Sequence, residues 1–226
     1  TATIRRDLDD LEQRSLLRRT RGGAISIGSL FYEPFKHDLS FQNKVGTLAT
    51  EKRRIAQAAA ALVRPGETVA LSGGTTTTEV VRSLKLLREI TIVTNAVNVA
   101  MELSSQKDID VVVTGGHLRG DWFTLVGPLA NQAAAMLFSD IMFIGIDGMD
   151  AEQGLTCVHP QEADFLRILA RHTRRKIVVA DHSKFGVVSR WLLCSANEVQ
   201  MIVTDQDATD KMIEPFRQMG IEVKRV

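Results

Sequence analysis

The sequence predicts an α/β domain on a mainly parallel, doubly wound sheet, with a short basic helical unit in front of it. Three observations carry this reading. From Glu67 onward come seven short β-rich runs: ETVALS, ITIVTN, IDVVVTGG, IMFIGIDG, KIVVAD, VQMIVTD and a weaker IEVKRV. Most are almost continuously apolar, the pattern of strands covered on both faces. Helix-like stretches lie between most of them, which argues for parallel pairing. At 226 residues and 25.0 kDa the chain can bury one sizeable core and carry a small appendage.

Taken in order, residues 1–24 read as a helix followed by the basic stretch RSLLRRTRGGA. Residues 25–44 hold Phe31, Tyr32, Pro34 and Phe35 with little periodicity and read as a linker or arm. An alanine-rich helix is expected over 46–63, stopped by Pro65-Gly66. Within the α/β domain, 45–226, further helices are expected over 76–87, 97–104, 129–138, 162–172 and 208–219. No internal repeat or low-complexity tract interrupts them.

Composition narrows the function classes. A formal net charge of +1, 44% hydrophobic and 24% charged residues describe an ordinary soluble protein. The charge is unevenly placed, however: residues 14–21 carry four arginines and no acid, which suits a module meeting polyanion at one end only. No apolar run approaches the roughly 18 residues of a membrane span, so no membrane partner is expected. There is no signal-peptide pattern either, and the setting expected is reducing and cytoplasmic. Cys157 and Cys194 lack metal-ligand spacing. His37, His117, His159, His172 and His182 show no i, i+4 pairing and no nearby acid or cysteine cluster, so no metal is expected. His117 and His182 fall in candidate binding loops.

On the opening helix, Ile4, Leu8 and Leu11 share one stripe, while Ala2, Arg5 and Arg6 point elsewhere. Asp9, Asp10 and Glu12 gather in its later turns. A helix that enters a major groove by its first turns and leaves by its last wants that order. A solvated amphipathic helix is the plain alternative. The LLRRTRGGA that follows favours the first reading, because arginines near a Gly22-Gly23 turn are placed to pair with phosphates.

TIRRDLDDLEQRSLLRRTRGGA resembles the second half of the winged helix-turn-helix of the DeoR family, bacterial repressors of sugar catabolism. Ser15 stands where that family has glycine, and Arg21 where it has histidine. The resemblance implies that residue 1 falls inside a DNA-reading helix and that the chain is a shortened version of a longer polypeptide. It implies operator contacts from Thr1, Thr3, Arg5 and Arg6 in the groove, and from Arg18, Arg19 and Arg21 on the phosphates.

SGGTTTTEV follows a strand and opens a helix. Gly73 and Gly74 permit close backbone approach, Thr75, Thr76 and Thr77 add hydroxyls, and a helix N-terminus offers unpaired N–H groups to a phosphate. A glycine turn with threonine caps is also a common helix start. Its companions add weight: Thr94-Asn95, Thr114 to Gly116, Gly145 to Gly148 and Ala180 to Gly186 each follow an apolar run. Loops beyond the carboxyl ends of parallel strands share one crevice. Ser72, Gly115, Gly116, Arg119, Asp147, Glu162 and Lys184 complete the candidate set. Lys184 would place a point charge on phosphate, Arg119 a second. Asp147 and Glu162 would bind sugar hydroxyls, pair with Lys184, or cap helices. Trp122 and Phe123 are expected to pack rather than to stack on ligand.

These motifs also resemble the DeoR effector domain, whose fold is related to ribose-5-phosphate isomerase and the coenzyme A transferases. TLVGPLA and GMDAEQGLT are similar to the branch answering amino-sugar phosphates, whereas Ser72 replaces an acid usual in the family. The function so implied is that of a transcriptional repressor of a carbohydrate operon. Its partners would be operator DNA and a phosphorylated sugar; it would form a homo-oligomer, dimer or tetramer, without cofactor. The rival is a sugar-phosphate isomerase or transferase, with Glu162 or Asp147 moving protons beside Lys184. An arginine-bearing reader has no use in such an enzyme.

Overall fold

Two apolar layers, one on each face of a single sheet, follow from period-2 alternation along the strands. A computed structural model describes residues 4, 7, 8, 17–20, 23–26, 44–120 and 122–226. In chain order the α/β elements begin with α1 (Ala49–Ala60), β3 (Thr68–Leu71), α2 (Thr75–Leu84), β4 (Ile90–Thr94), α3 (Val97–Leu103) and β5 (Ile109–Val113). An excursion, β6 (His117–Arg119) and β7 (Thr124–Val126), precedes α4 (Pro128–Met136) and β8 (Ser139–Ile144). Then come β9 (Gly148–Asp150), β10 (Gly154–Cys157), α5 (Pro160–Arg171), β11 (Thr173–Val179) and β12 (Trp191–Cys194). The chain finishes with β13 (Met201–Thr204), α6 (Asp210–Gln218) and β14 (Glu222–Arg225).

The main sheet has seven strands in the order β14-β13-β11-β8-β3-β4-β5, all pairs parallel. All seven apolar runs of the sequence are its strands. Val69, Leu71, Ile141, Phe143, Ile177 and Val179 point to one face, where α1, α2 and α3 contribute Ile55, Ala59, Val80, Leu84, Val99 and Leu103. Ala70, Met142, Ile144 and Val178 point to the other, against Ala130, Ala134, Phe165, Leu169, Ile213 and Phe216 of α4, α5 and α6. The sheet is doubly wound, as the apolar pattern predicts.

The alanine-rich helix is shorter than expected. Leu48 has φ 53, a left-handed conformation that separates helical residues 44–46 from α1. Small antiparallel sheets, β12-β10-β9 and β6-β7, were not anticipated. Their strands have only three or four residues, too few to show a period. The turn before β10 is nonetheless chemically explicit: Asp150 Oδ1 accepts from the backbone N–H of Glu152 and Gln153, both at 2.9 Å, and Gly154 takes φ 83.

By internal contacts the chain divides into two compact units, Thr1–Leu39 and Ser40–Val226. In the first, Ile4, Asp7 and Leu8 are helical, and β1 (Leu17–Thr20) pairs antiparallel with β2 (Gly23–Ser26), Thr20 opposite Gly23. Ile4, expected on the apolar stripe, is exposed. Thr1, Thr3, Arg5, Arg6 and Arg21 lie outside the described residues, as do the side chains of Arg18 and Arg19, whose backbone runs in β1.

Candidate ligand-binding site

The chain winds outward from β3 through β4 to β5, then returns to the opposite side of β3 as β8, and continues to β11 and beyond. Strand order therefore reverses between β3 and β8, the switch point at which open parallel sheets bind ligands. A cavity of about 280 Å³ opens there. Its walls come from the loops after β3 (Gly73, Gly74, Thr75, Thr76), after β8 (Gly145, Ile146, Asp147) and after β11 (Ala180, Asp181, Ser183, Lys184). Arg119 and Trp122 from the β6–β7 excursion, Cys157, Val158, His159 and Glu162 around the start of α5, and Lys44, Thr47 and Lys52 also line it, with Leu166 and Val179.

The floor is the N-terminus of α2. Gly74, at φ 141, turns the chain, and its carbonyl accepts Thr78 N at 3.0 Å, Thr77 Oγ1 at 3.0 Å and Thr78 Oγ1 at 2.7 Å. The first-turn N–H groups of α2 have no intrahelical acceptor and suit an anion. Gly73 is required by close packing, since a Cβ there would stand 2.2 Å from Thr124 Cγ2.

Charge is concentrated on the walls. Among the described lining residues, Lys44, Lys52, Arg119 and Lys184 face Asp147, Asp181 and Glu162. Lys44 Nζ lies 3.2 Å from Asp147 Oδ1 and 4.7 Å from the centroid of the Trp122 ring, a cation–π arrangement. Arg119 Nη1 lies 3.2 Å from Glu162 Oε2. Lys52 is 5% exposed and donates to the carbonyls of Lys44 at 2.5 Å and Thr47 at 2.7 Å. Burial holds its pKa below the ordinary value; Asp181 opposes that shift, while Lys184 and Lys44 add to it. Such a cationic, partly dry recess favours an anion, which would relieve the repulsion among the ammonium groups.

Of the residues expected to bind ligand, Gly73, Gly74, Thr75, Thr76, Arg119, Asp147, Glu162 and Lys184 meet at this cavity. Six do not line it. Ser72 is buried and its Oγ accepts Gly145 N at 3.0 Å, tying the ends of β3 and β8. The Thr77 hydroxyl goes to Gly74, as above. Thr94 Oγ1 donates to Leu71 O at 3.0 Å, and Asn95 Nδ2 to Leu125 O at 2.9 Å. Gly115 and Gly116 take φ 71 and 125, and a Cβ on Gly116 would meet Val126 O at 2.8 Å. Ser72 and Thr77 are spent on holding the β3–α2 turn, whereas Thr94, Asn95, Gly115 and Gly116 follow β4 and β5, on the side of β3 away from β8. The cavity lining therefore draws on the loops after β3, β8 and β11 and on the β6–β7 excursion after β5, and it leaves out Thr94, Asn95, Gly115 and Gly116.

The polar pairing also differs from expectation. Asp147 pairs with Lys44 and Glu162 with Arg119, rather than with Lys184, a pairing that was one of the three roles open to each. Trp122, expected to pack, lines the cavity beneath Lys44, while Phe123 is buried. His182 does have acids beside it: Asp205 Oδ2 accepts its backbone N–H at 2.8 Å, and its Nδ1 lies 2.9 Å from Asp205 Oδ1. Asp207 joins them to make three ligand-type groups within 4.8 Å of one another. The loops after β11 and β13 meet because their strands are neighbours, which spacing along the chain does not show. Asp205 Oδ1 also accepts Asp207 N at 2.9 Å, so these contacts serve as a loop clasp.

Lys44, Thr47 and Lys52 had no place in the expected site, Asp181 was included only within the loop 180–186, and His159 only as a histidine without metal-ligand spacing. Lys52 was findable: it lies on the same helical stripe as Ile55, Ala56 and Ala59, where a lysine needs a partner. Lys44, within a stretch read as linker, carried no signal.

A doubly wound sheet with a cationic cavity at its switch point defines a small-molecule-binding domain, here preceded in sequence by a separate unit in which the described residues include helical positions and an antiparallel strand pair. A model of the DeoR C-terminal sensor domain matches residues 47–206, and one of the DeoR-like helix-turn-helix domain matches residues 1–29. The chain is 35% identical over 222 residues to the HTH-type transcriptional regulator GlpR of Haloferax volcanii, covering 98% of this chain and 85% of that protein. It is 30% identical over 223 residues to the HTH-type transcriptional repressor GlcR of Bacillus subtilis, covering 98% and 83%. Among solved structures, ribose 5-phosphate isomerase from Plasmodium falciparum has a TM-score of 0.44 at 16% identity, over 59% of this chain and 51% of that one. The chain belongs to the DeoR family of transcriptional regulators.

Proposed function

We propose that the protein represses a carbohydrate catabolic operon and is controlled by a phosphorylated sugar bound in the switch-point cavity. The observation that carries this is the meeting of the α2 N-terminus with Lys44, Lys52, Arg119 and Lys184 around about 280 Å³. The phosphate would sit on the glycine-threonine turn, and Asp147 and Glu162 would take sugar hydroxyls. In this reading Thr1, Thr3, Arg5 and Arg6 read operator bases, and Arg18, Arg19 and Arg21 hold phosphates. The protein works in the cytoplasm as a homo-oligomer, dimer or tetramer.

The site serves recognition rather than turnover. Asp147 and Glu162 are each ion-paired to a cation, which favours the carboxylate form over a proton donor. Burial, with Glu162 and Asp147 adding to it, pushes the Cys157 thiol up to about 12, so it offers no nucleophile. Moving DNA occupancy from nearly full to nearly empty takes about 5.5 kcal/mol of differential ligand affinity.

A thermal-shift panel of sugar phosphates against the parent protein and Thr76→Ala tests the reading. Stabilisation grows as RT ln(1 + [L]/Kd). A phosphosugar should raise the parent midpoint and raise that of Thr76→Ala less. A panel without any effect on the parent would refute it.

A further inference from the structure

We infer that residues 44–47 are the sensing wall of the cavity and that Lys44 couples the charge of a bound anion to the chain leading to the N-terminal unit. The inference rests on the reading of the cavity as an anion site.

The N-terminal unit ends at Leu39, and five positions later the chain supplies cavity wall. Polar contacts to other lining residues hold this segment. Lys44 Nζ meets Asp147 Oδ1 at 3.2 Å and stands 4.7 Å over the Trp122 ring. Lys52 Nζ binds the carbonyls of Lys44 and Thr47 at 2.5 and 2.7 Å. The two ammonium groups differ in freedom. Lys52 is buried, whereas the Lys44 side chain is 44% exposed and its ion pair is correspondingly exchangeable.

An anion on the glycine-threonine turn competes for both. It offers Lys44 a second negative partner inside the recess, and a sugar hydroxyl donating to Asp147 weakens the existing pair. Lys52 has three donors, two of them on the carbonyls of this segment. Any shift of its ammonium towards the anion loosens those bonds. Occupancy of the cavity thereby re-seats residues 44–47, and the chain before them carries the displacement towards the DNA-reading unit. The ligand thus interacts differently with two arrangements of one element, as coupling requires.

The sequence has two tryptophans, and Trp191 on β12 does not line the cavity. In a Trp191→Phe background, Trp122 alone reports on the Lys44 contact. The full chain is titrated with glucosamine 6-phosphate and, separately, with inorganic phosphate. Thermal midpoint, Trp122 emission and affinity for a duplex selected by the parent protein are followed. The inference expects a probe to raise the midpoint, to change Trp122 emission and to change duplex affinity. In Lys44→Met the midpoint still rises, but the emission change falls several-fold and the ratio of duplex affinities with and without probe approaches one; Lys44→Arg restores both. A Lys44→Met protein with undiminished emission and duplex responses overturns the inference and leaves the anion-site reading intact. A midpoint in the Trp191→Phe protein that neither probe raises overturns both.

Discussion

Lys44 Nζ and Asp147 Oδ1 are 3.2 Å apart although 103 positions separate them. The contact joins the beginning of the α/β unit to the loop after β8, and it does so at the rim of the cavity. It also brings Lys44 within reach of Trp122. The first turn of this domain and its candidate binding site are therefore one structure, and substitutions in either are felt in both.

Gly73→Ala should destabilise the protein by about 1–3 kcal/mol, the usual cost of overpacking. The added Cβ would stand 2.2 Å from Thr124 Cγ2, and Thr124 is fully buried. Gly145→Ala is the matched control, because its Cβ would meet Ser72 Oγ at an ordinary 3.5 Å. Urea unfolding of both variants checks the contrast; equal stabilities would remove the packing argument for Gly73.

Glu162→Gln keeps the shape of the side chain and removes one negative charge from the cavity wall, where the Glu162 side chain is only 15% exposed. Inorganic phosphate should bind several-fold tighter, up to about 1.4 kcal/mol per tenfold. Glucosamine 6-phosphate should gain less, because a carboxylate acceptor for its hydroxyls is lost. Calorimetric titration separates the two. Weakening of both anions alike would mean that orienting Arg119 is the main task of Glu162.

Neither cysteine should react in the native protein near neutral pH. Cys157 and Cys194 are buried, and burial pushes each thiol up to about 12. A chromogenic disulfide should label them only after unfolding, when both thiols appear. Rapid native labelling of Cys157 would show the cavity to be more open than its geometry implies.

Lys52 should leave a signature in alkaline stability. Its folded pKa lies below the ordinary 10.5, so between the two values the unfolded chain holds a proton that the folded chain has lost. Stability then rises with pH across that window. Lys52→Met should abolish this rise, and the stability of the parent minus that of the variant should grow as pH climbs towards about 10.5. Parallel stability curves would contradict the burial of a charged Lys52.

The parallel core was legible because its strands are buried on both faces, so runs such as KIVVAD and IMFIGIDG stand out against the helices. The switch-point loops were legible as glycine and threonine clusters, since backbone approach and hydroxyl donation need those residues. What escaped notice was contact between distant segments. Asp205 beside His182, Arg119 beside Glu162 and Lys44 beside Asp147 depend on strand order, and strand order has no local signature. The seclusion of Thr94, Asn95, Gly115 and Gly116 has the same cause, since they match the pattern but follow strands on the side of β3 away from β8, and only the later β6–β7 excursion brings Arg119 and Trp122 back to the cavity. Leu48 shows a smaller limit: its left-handed conformation shortens a helix that alanine content alone would extend.

The most direct measurement is a crystal of the protein soaked with glucosamine 6-phosphate. The account predicts density in the switch-point cavity, with the phosphate on the first-turn N–H groups of α2 at Thr75 and Thr76 and the sugar towards Asp147 and Glu162. A cavity that stays filled by its own side chains, or a phosphate bound anywhere else on the molecule, would contradict it.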